Sequence, residues 1–187
     1  MYIWIGLSLC REDEDKIRGI CRRINECYHV SEVAFILPQH ISLKISFDVG
    51  DRREEVVEYL KTLFSGRSLM PLELTGITMV GDNLIWMDAL KTPALRSLHN
   101  ELNDGLMRKF GIGLNSFDGD DFHFHSTLFL ADPSDSGVPQ LKQELDKAFA
   151  EELGFPLRVT GDRVTVGAAE VCSAGMFTVC VEIPFAK

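Results

Sequence analysis

Laid against itself at an offset of 85 residues, the chain matches itself, and this limits what it can fold into more than any single motif does. His40 falls on His125, Ser42 on Thr127 and Leu43 on Leu128; farther along, Leu60 and Phe64 fall on Leu145 and Phe149. Pro71-Leu72-Glu73-Leu74-Thr75-Gly76 falls on Pro156-Leu157-Arg158-Val159-Thr160-Gly161. Between residues 40 and 76 that register gives eight identities, against about two expected by chance at ordinary composition. A weaker match at an offset of 82 places Ile3-Trp4 on Ile85-Trp86. The acidic stretch Asp118-Gly119-Asp120-Asp121 is a natural place for the three extra residues. The sequence therefore reads as a duplicated unit, with repeats of about 1–82 and 83–187 in one bilobal domain.

Each half has the same predicted order. An apolar strand (2–9, 83–90) leads to a helix (12–27, 93–110), with Ile17, Ile20, Ile24 and Cys27 on one stripe and Leu95, Leu98, Leu102 and Leu106 on the other. A histidine-bearing strand follows (39–47, 122–130), then a second helix (52–65, 137–152). Strands rich in β-branched residues close the halves at 70–80, 156–166 and 176–184. The expected class is α+β: mainly antiparallel sheets, helices on the outside, and a central cleft between the lobes.

Composition narrows the partners. The 187 residues are 45% hydrophobic and 25% charged, as in an ordinary folded protein. The net charge of −9 argues against a duplex-binding face, so duplex DNA is not an expected partner, whereas a small nucleotide or an RNA end in a local groove fits. The five cysteines are an odd number without C-x-x-C spacing, which reads as reduced thiols in a cytoplasmic setting. The apolar start, Tyr2 to Leu9, lacks a basic flank and runs into Arg11-Glu12-Asp13-Glu14-Asp15, so a buried first strand is expected, with no membrane partner. A monomer is the favoured state.

Side chains at i and i+2 of a strand share a face. His40 and Ser42 therefore lie side by side, as do His125 and Thr127, while Ile41, Leu43, Ser126 and Leu128 point the other way. Cleaving a phosphodiester requires one proton removed from the nucleophile and one given to the leaving oxygen. Two imidazoles, each with an ordinary pKa near 6.5, can divide those tasks at neutral pH. The hydroxyls can donate to the non-bridging oxygens, where charge gathers. No metal or other cofactor is needed. A cationic phosphate ligand is also expected, and Lys44 continues the His40 and Ser42 face.

His40-Ile41-Ser42-Leu43 and His125-Ser126-Thr127-Leu128 resemble the paired H-x-[ST]-x motifs of the 2H phosphoesterase superfamily, and Pro38 to Lys44 is similar to the first motif of its 2′-5′ RNA ligase-like branch. The resemblance covers essentially the whole chain. It implies catalytic His40 and His125, phosphate-binding Ser42 and Thr127, and metal-free hydrolysis of a nucleoside or RNA 2′,3′-cyclic phosphate or a 2′-5′ phosphodiester. It also admits 2′-5′ RNA ligation, with the histidines exchanging roles, and a non-catalytic nucleotide- or RNA-binding module. Tyr2, Ile3 and Trp4 stand where many relatives have an Arg followed by aromatics, and Phe124 where Pro commonly precedes the second motif.

Other residues admit competing readings. His123 shares the His125 face, lining the cleft or, with His40, making three imidazoles that zinc would accept; the metal reading is the weaker, because the repeat supplies hydroxyls rather than carboxylates. Phe129 is placed on the same face to stack a base. Asp118, Asp120 and Asp121 read as a solvated loop, residues 132–137 as a turn and helix cap, and His29 and His99 as surface residues. Most of the other cations, Arg52, Arg53, Lys91, Arg96, Arg158 and Arg163, read as solvated faces.

Overall fold

The structure is a computed structural model that describes residues 1–187 except 133, 174, 175 and 187. Its elements run β1 (Tyr2–Leu9), α1 (Arg11–Asn25), a 3-10 turn (Val33–Phe35), β2 (His40–Asp48), α2 (Arg53–Phe64), β3 (Met70–Val80), β4 (Leu84–Ala89), α3 (Pro93–Phe110), β5 (His125–Leu130), α4 (Val138–Glu152), β6 (Leu157–Ala169) and β7 (Thr178–Pro184). The class is α+β, with every strand pair antiparallel.

Local chemistry sets most of the boundaries. The Ile17, Ile20 and Cys21 stripe of α1 is buried, as are Leu95, Leu98, Leu102 and Leu106 of α3. Thr92 caps α3 by accepting from the Leu95 N–H, Pro93 opens it, and Gly111 ends it at a φ of 68° in the left-handed region. Strand β5 is shorter than predicted: residues 122–124 precede the ladder, with Phe122 and Phe124 buried beside His99. Asp132 accepts from the backbone and hydroxyl of Ser134, as a turn requires, while Pro133 of that predicted turn lies outside the described residues.

The strand order is β2-β1-β6-β3-β4-β5, with β7 also paired to β6. The sequence halves are thus interleaved. Strand β6, from the second half, joins β1 and β3 from the first: Gly161–Ala169 pair with β1, and Leu157–Gly161 with β3. The helices mix likewise, α1 against α4 and α2 against α3. Strands β2 and β5, at opposite ends of the order, come into contact. Each therefore carries its histidine to the same place.

Both histidine strands contain a bulge at equivalent positions. Ile5 pairs with Lys44 but Gly6 with Ser42, leaving Leu43 extra; Ile85 pairs with Phe129 but Trp86 with Thr127, leaving Leu128 extra. A bulge breaks the two-residue alternation, so two successive side chains face the same way. Leu43 and Lys44 are both buried, and so are Leu128 and Phe129.

Candidate active site

His40 opens β2 and His125 opens β5. The Nδ1 of His40 lies 2.6 Å from the carbonyl of Pro38, and that of His125 3.0 Å from the carbonyl of His123. A carbonyl only accepts, so each Nδ1 carries the proton and donates. Each neutral ring therefore keeps the lone pair of its Nε2. The same local turn sets the same tautomer twice.

Side-chain bonds tie the two strands where no ladder exists. Ser126 Oγ donates to the His40 carbonyl at 2.7 Å; Gln39 Nε2 donates to Ser126 Oγ at 2.7 Å and to the Thr127 carbonyl at 2.9 Å. Ser126, which points away from the expected phosphate site, is thus the residue that joins the motifs. His40 and Thr127, one from each motif, line one apolar slot of about 150 Å³ with Trp4, Ile36, Leu37 and Phe177.

An indole backs each imidazole. The Trp4 ring meets His40 edge to face at 4.2 Å, and its Nε1 donates to Ser42 Oγ at 3.2 Å. Trp86 stacks on His125 at 4.0 Å and donates to Asp88 Oδ1 at 3.0 Å. The Ile-Trp match at the 82-residue offset held the signal for both indoles. Nothing in the sequence singled out Gln39, Asp88 or Thr78.

Burial, with smaller contributions from nearby His125 and Arg18 and against a rise from the Pro38 carbonyl, lowers the pKa of His40 to about 4. Burial lowers His125 too, with a raising contribution from its backbone bond and from Asp88. Burial works to raise the Asp88 carboxyl, but hydrogen bonds involving Thr78, His123 and Trp86 outweigh it and hold it below its usual range.

The structure corrects several residue assignments. Lys44 is not on the His40 face: the bulge turns it inward, fully buried, where Nζ donates to Asn103 Oδ1 at 2.6 Å and pairs with Asp118 Oδ2 at 2.5 Å. Phe129 is turned into the core by the matching bulge and packs on Phe35 at 5.3 Å, so it presents no ring to the cleft. Asp118 is buried rather than solvated, because it neutralises Lys44. His99 is buried, its Nδ1 donating to the Leu43 carbonyl at 2.7 Å. Arg163 is buried too, donating to the Leu9 carbonyl at 2.8 Å and to Glu182 at 2.7 Å. His123 stays at the site, its Nε2 2.8 Å from Asp88 Oδ1 rather than turned toward His40. Among the described residues, no three His, Cys, Asp or Glu side chains converge as a metal-binding group, and no Lys or Arg lines the slot.

A sequence model of the 2′-5′ RNA ligase superfamily matches residues 14–170. The chain belongs to that superfamily. Membership bears out the resemblance carried by the paired H-x-[ST] motifs. No curated protein sequence matches the chain. Among solved structures, TT0787 of Thermus thermophilus aligns at a TM-score of 0.62 and 16% identity, covering 98% of this chain and 97% of that one. LigT of E. coli, complexed with 3′-AMP, aligns at 0.60 and 15% over 99% and 98%. Usb1 of Kluyveromyces marxianus aligns at 0.52 and 13% over 98% and 97%. At these identities the likeness shows a shared fold. No helix among the described residues is long and apolar enough to cross a membrane.

Proposed function

We propose that the protein is a metal-independent phosphodiesterase that opens nucleoside or RNA 2′,3′-cyclic phosphates, or cuts 2′-5′ linkages, with His40 and His125 as its acid–base pair. The observation that carries this reading is the matched state of the two imidazoles. Each is locked by the carbonyl two residues before it, keeps its Nε2 unprotonated in the neutral ring, and sits on a strand tied to the other by Gln39 and Ser126.

In the proposed cycle one Nε2 takes a proton from water as its oxygen bonds to phosphorus. The other, protonated, gives its proton to the 3′ oxygen as the P–O3′ bond breaks, leaving a 2′-phosphate and a 3′-hydroxyl. An anionic phosphate beside the imidazoles opposes the desolvation that depresses them, which favours the protonated partner. Trp4 donates into the Ser42 oxygen, so the Ser42 proton is free to be given to a non-bridging phosphate oxygen; Thr127 supplies a second hydroxyl. The slot beside His40 and Thr127 has the volume and apolarity for a base, and among the described residues its lining is otherwise apolar apart from the Trp4 indole N–H, which is bonded to Ser42, so weak base preference follows. Small nucleotides are favoured as substrates, in keeping with the 3′-AMP and ATP complexes of the LigT structures.

The test is turnover of the four nucleoside 2′,3′-cyclic phosphates and of 2′-5′ diadenylate in EDTA, beside His40→Ala and His125→Ala. Turnover that survives EDTA and falls by about 10²–10⁴-fold in each variant is the expected result. Activity abolished by EDTA overturns the metal-free mechanism. Joining of RNA halves without hydrolysis would assign ligation instead, and variants that bind RNA as wild type does, with no turnover by any protein, would leave a binding module.

A further inference from the structure

The motifs are near copies, but their surroundings are not. At the 82-residue offset that matches Trp4 with Trp86, Asp88 corresponds to Gly6. A Cβ on Gly6 would come within 2.3 Å of the Trp4 ring and 3.2 Å of His40, so the Trp4 indole occupies the place of a side chain and reaches Ser42. In the second half that place is filled by a carboxylate. Asp88 Oδ1 accepts from Trp86 Nε1 at 3.0 Å and faces His123 Nε2 at 2.8 Å; Oδ2 accepts from Thr78 Oγ1 at 2.5 Å. The Trp86 ring held this way lies nearly flat on His125, at 29°, and the His123 ring lies 5.9 Å away at 23°. Trp4, by contrast, bonds a hydroxyl and meets His40 at 63°.

We propose that Asp88 is a positioning residue that makes the two histidines unequal: it braces Trp86 and His123 around His125 and favours the protonated His125 ring, so that His125 gives the proton to the leaving oxygen and His40 takes one from water. The assignment of these roles rests on the phosphodiesterase reading; the bracing of His125 does not. The ionisable groups facing His125 are Asp88 on β4, His123 just before β5 and His40 on β2; those facing His40 are His125 and, from α1, Arg18. On the His40 side the carboxylate of Glu14 is taken up by Arg18 and the Gln39 N–H, whereas Asp88 bonds directly to the rings that flank His125. The charges of His125 and Arg18 both lower the pKa of His40, whereas at His125 the lowering by His123 is opposed by Asp88.

The test is an NMR titration of both imidazoles in wild type, Asp88→Asn and Thr78→Val. Asparagine keeps an acceptor for Trp86 but no charge. The His125 midpoint should fall by about half a pH unit in Asp88→Asn while His40 stays, and Thr78→Val, which keeps the carboxylate, should leave His125 near its wild-type midpoint. An unmoved His125, or an equal movement of His40, overturns the bracing. The roles are read on a nucleoside 4-nitrophenyl phosphate diester, whose leaving group needs no proton. There His125→Ala should keep most of the wild-type rate and His40→Ala should lose it; equal loss or the reverse order overturns the assignment. A wild type inactive on every diester removes the phosphodiesterase reading and the roles with it, and the titration still decides whether Asp88 acts on His125.

Discussion

Gly6 shows how much a single residue can constrain this site. It has no Cβ to spare, because the Trp4 ring lies where one would stand. Gly6→Ala should displace that indole, breaking its bond to Ser42 and its packing on His40, at a cost of about 1–3 kcal/mol in stability. Urea unfolding midpoints and turnover should both fall; unchanged values for both would mean that Trp4 has another place to go. The imidazoles make a second prediction at this scale. His40, His99 and His125 all have pKa values lowered by burial, His40 to about 4. A lowered histidine is neutral in the folded state while the unfolded chain takes up protons near pH 6.5, so stability rises with pH across that interval. The His40 contribution is fully present above about pH 6.5 and is lost progressively as pH falls toward about 4, and those of His99 and His125 are lost in the same direction. Melting temperatures from pH 7 to 4 should decline, and His40→Asn, which removes one titrating ring, should flatten the decline.

At the scale of the element, the repeated bulge determines which side chains reach the cleft. Strict alternation puts Lys44 and Phe129 on the histidine face, and the extra Leu43 and Leu128 carry both into the core. Lys44 then becomes a structural cation, holding Asp118 and so the loop that leads toward His125. Lys44→Met should leave a buried, unpaired carboxylate and cost about 3–5 kcal/mol. Adding Asp118→Asn should recover much of that loss, because the uncompensated charge goes and an acceptor for the Asn115 N–H remains. A thermal melt distinguishes this from a phosphate-binding role, under which Lys44→Met would raise KM and leave the melting temperature alone. The bulge lacks a composition signal: His-x-Ser-Leu-Lys reads as five regular strand positions, and the displacement arises from how β2 pairs with β1.

At the scale of the whole molecule, the interleaving of the strands makes the halves interdependent. Neither half alone retains the neighbours of β6, since β1 and β3 precede residue 83 and β6 follows it. Fragments 1–82 and 83–187 should therefore each lack cooperative unfolding when made separately, and should form a folded one-to-one complex when refolded together. Circular dichroism melts and size-exclusion chromatography would check this; a fragment that melts cooperatively by itself would contradict it. The same interleaving brings β2 and β5 together from the two ends of the strand order, so the catalytic pair that we propose depends on the complete sheet.

The helices, most strands and the pair His40 and His125 were legible in the chain, because periodicity and local turns are set by residues near one another. The leucine stripe of α3 is of this kind. Asp88, Thr78, Gln39 and the inward turn of Lys44 were not, because each acquires its role from a neighbour on another element. An aspartate within a strand reads as an ordinary polar residue until Trp86, His123 and Thr78 surround it. The sequence by itself determined which residues could exchange protons; strand pairing decided where each would stand, because a face is buried or exposed only by what packs against it.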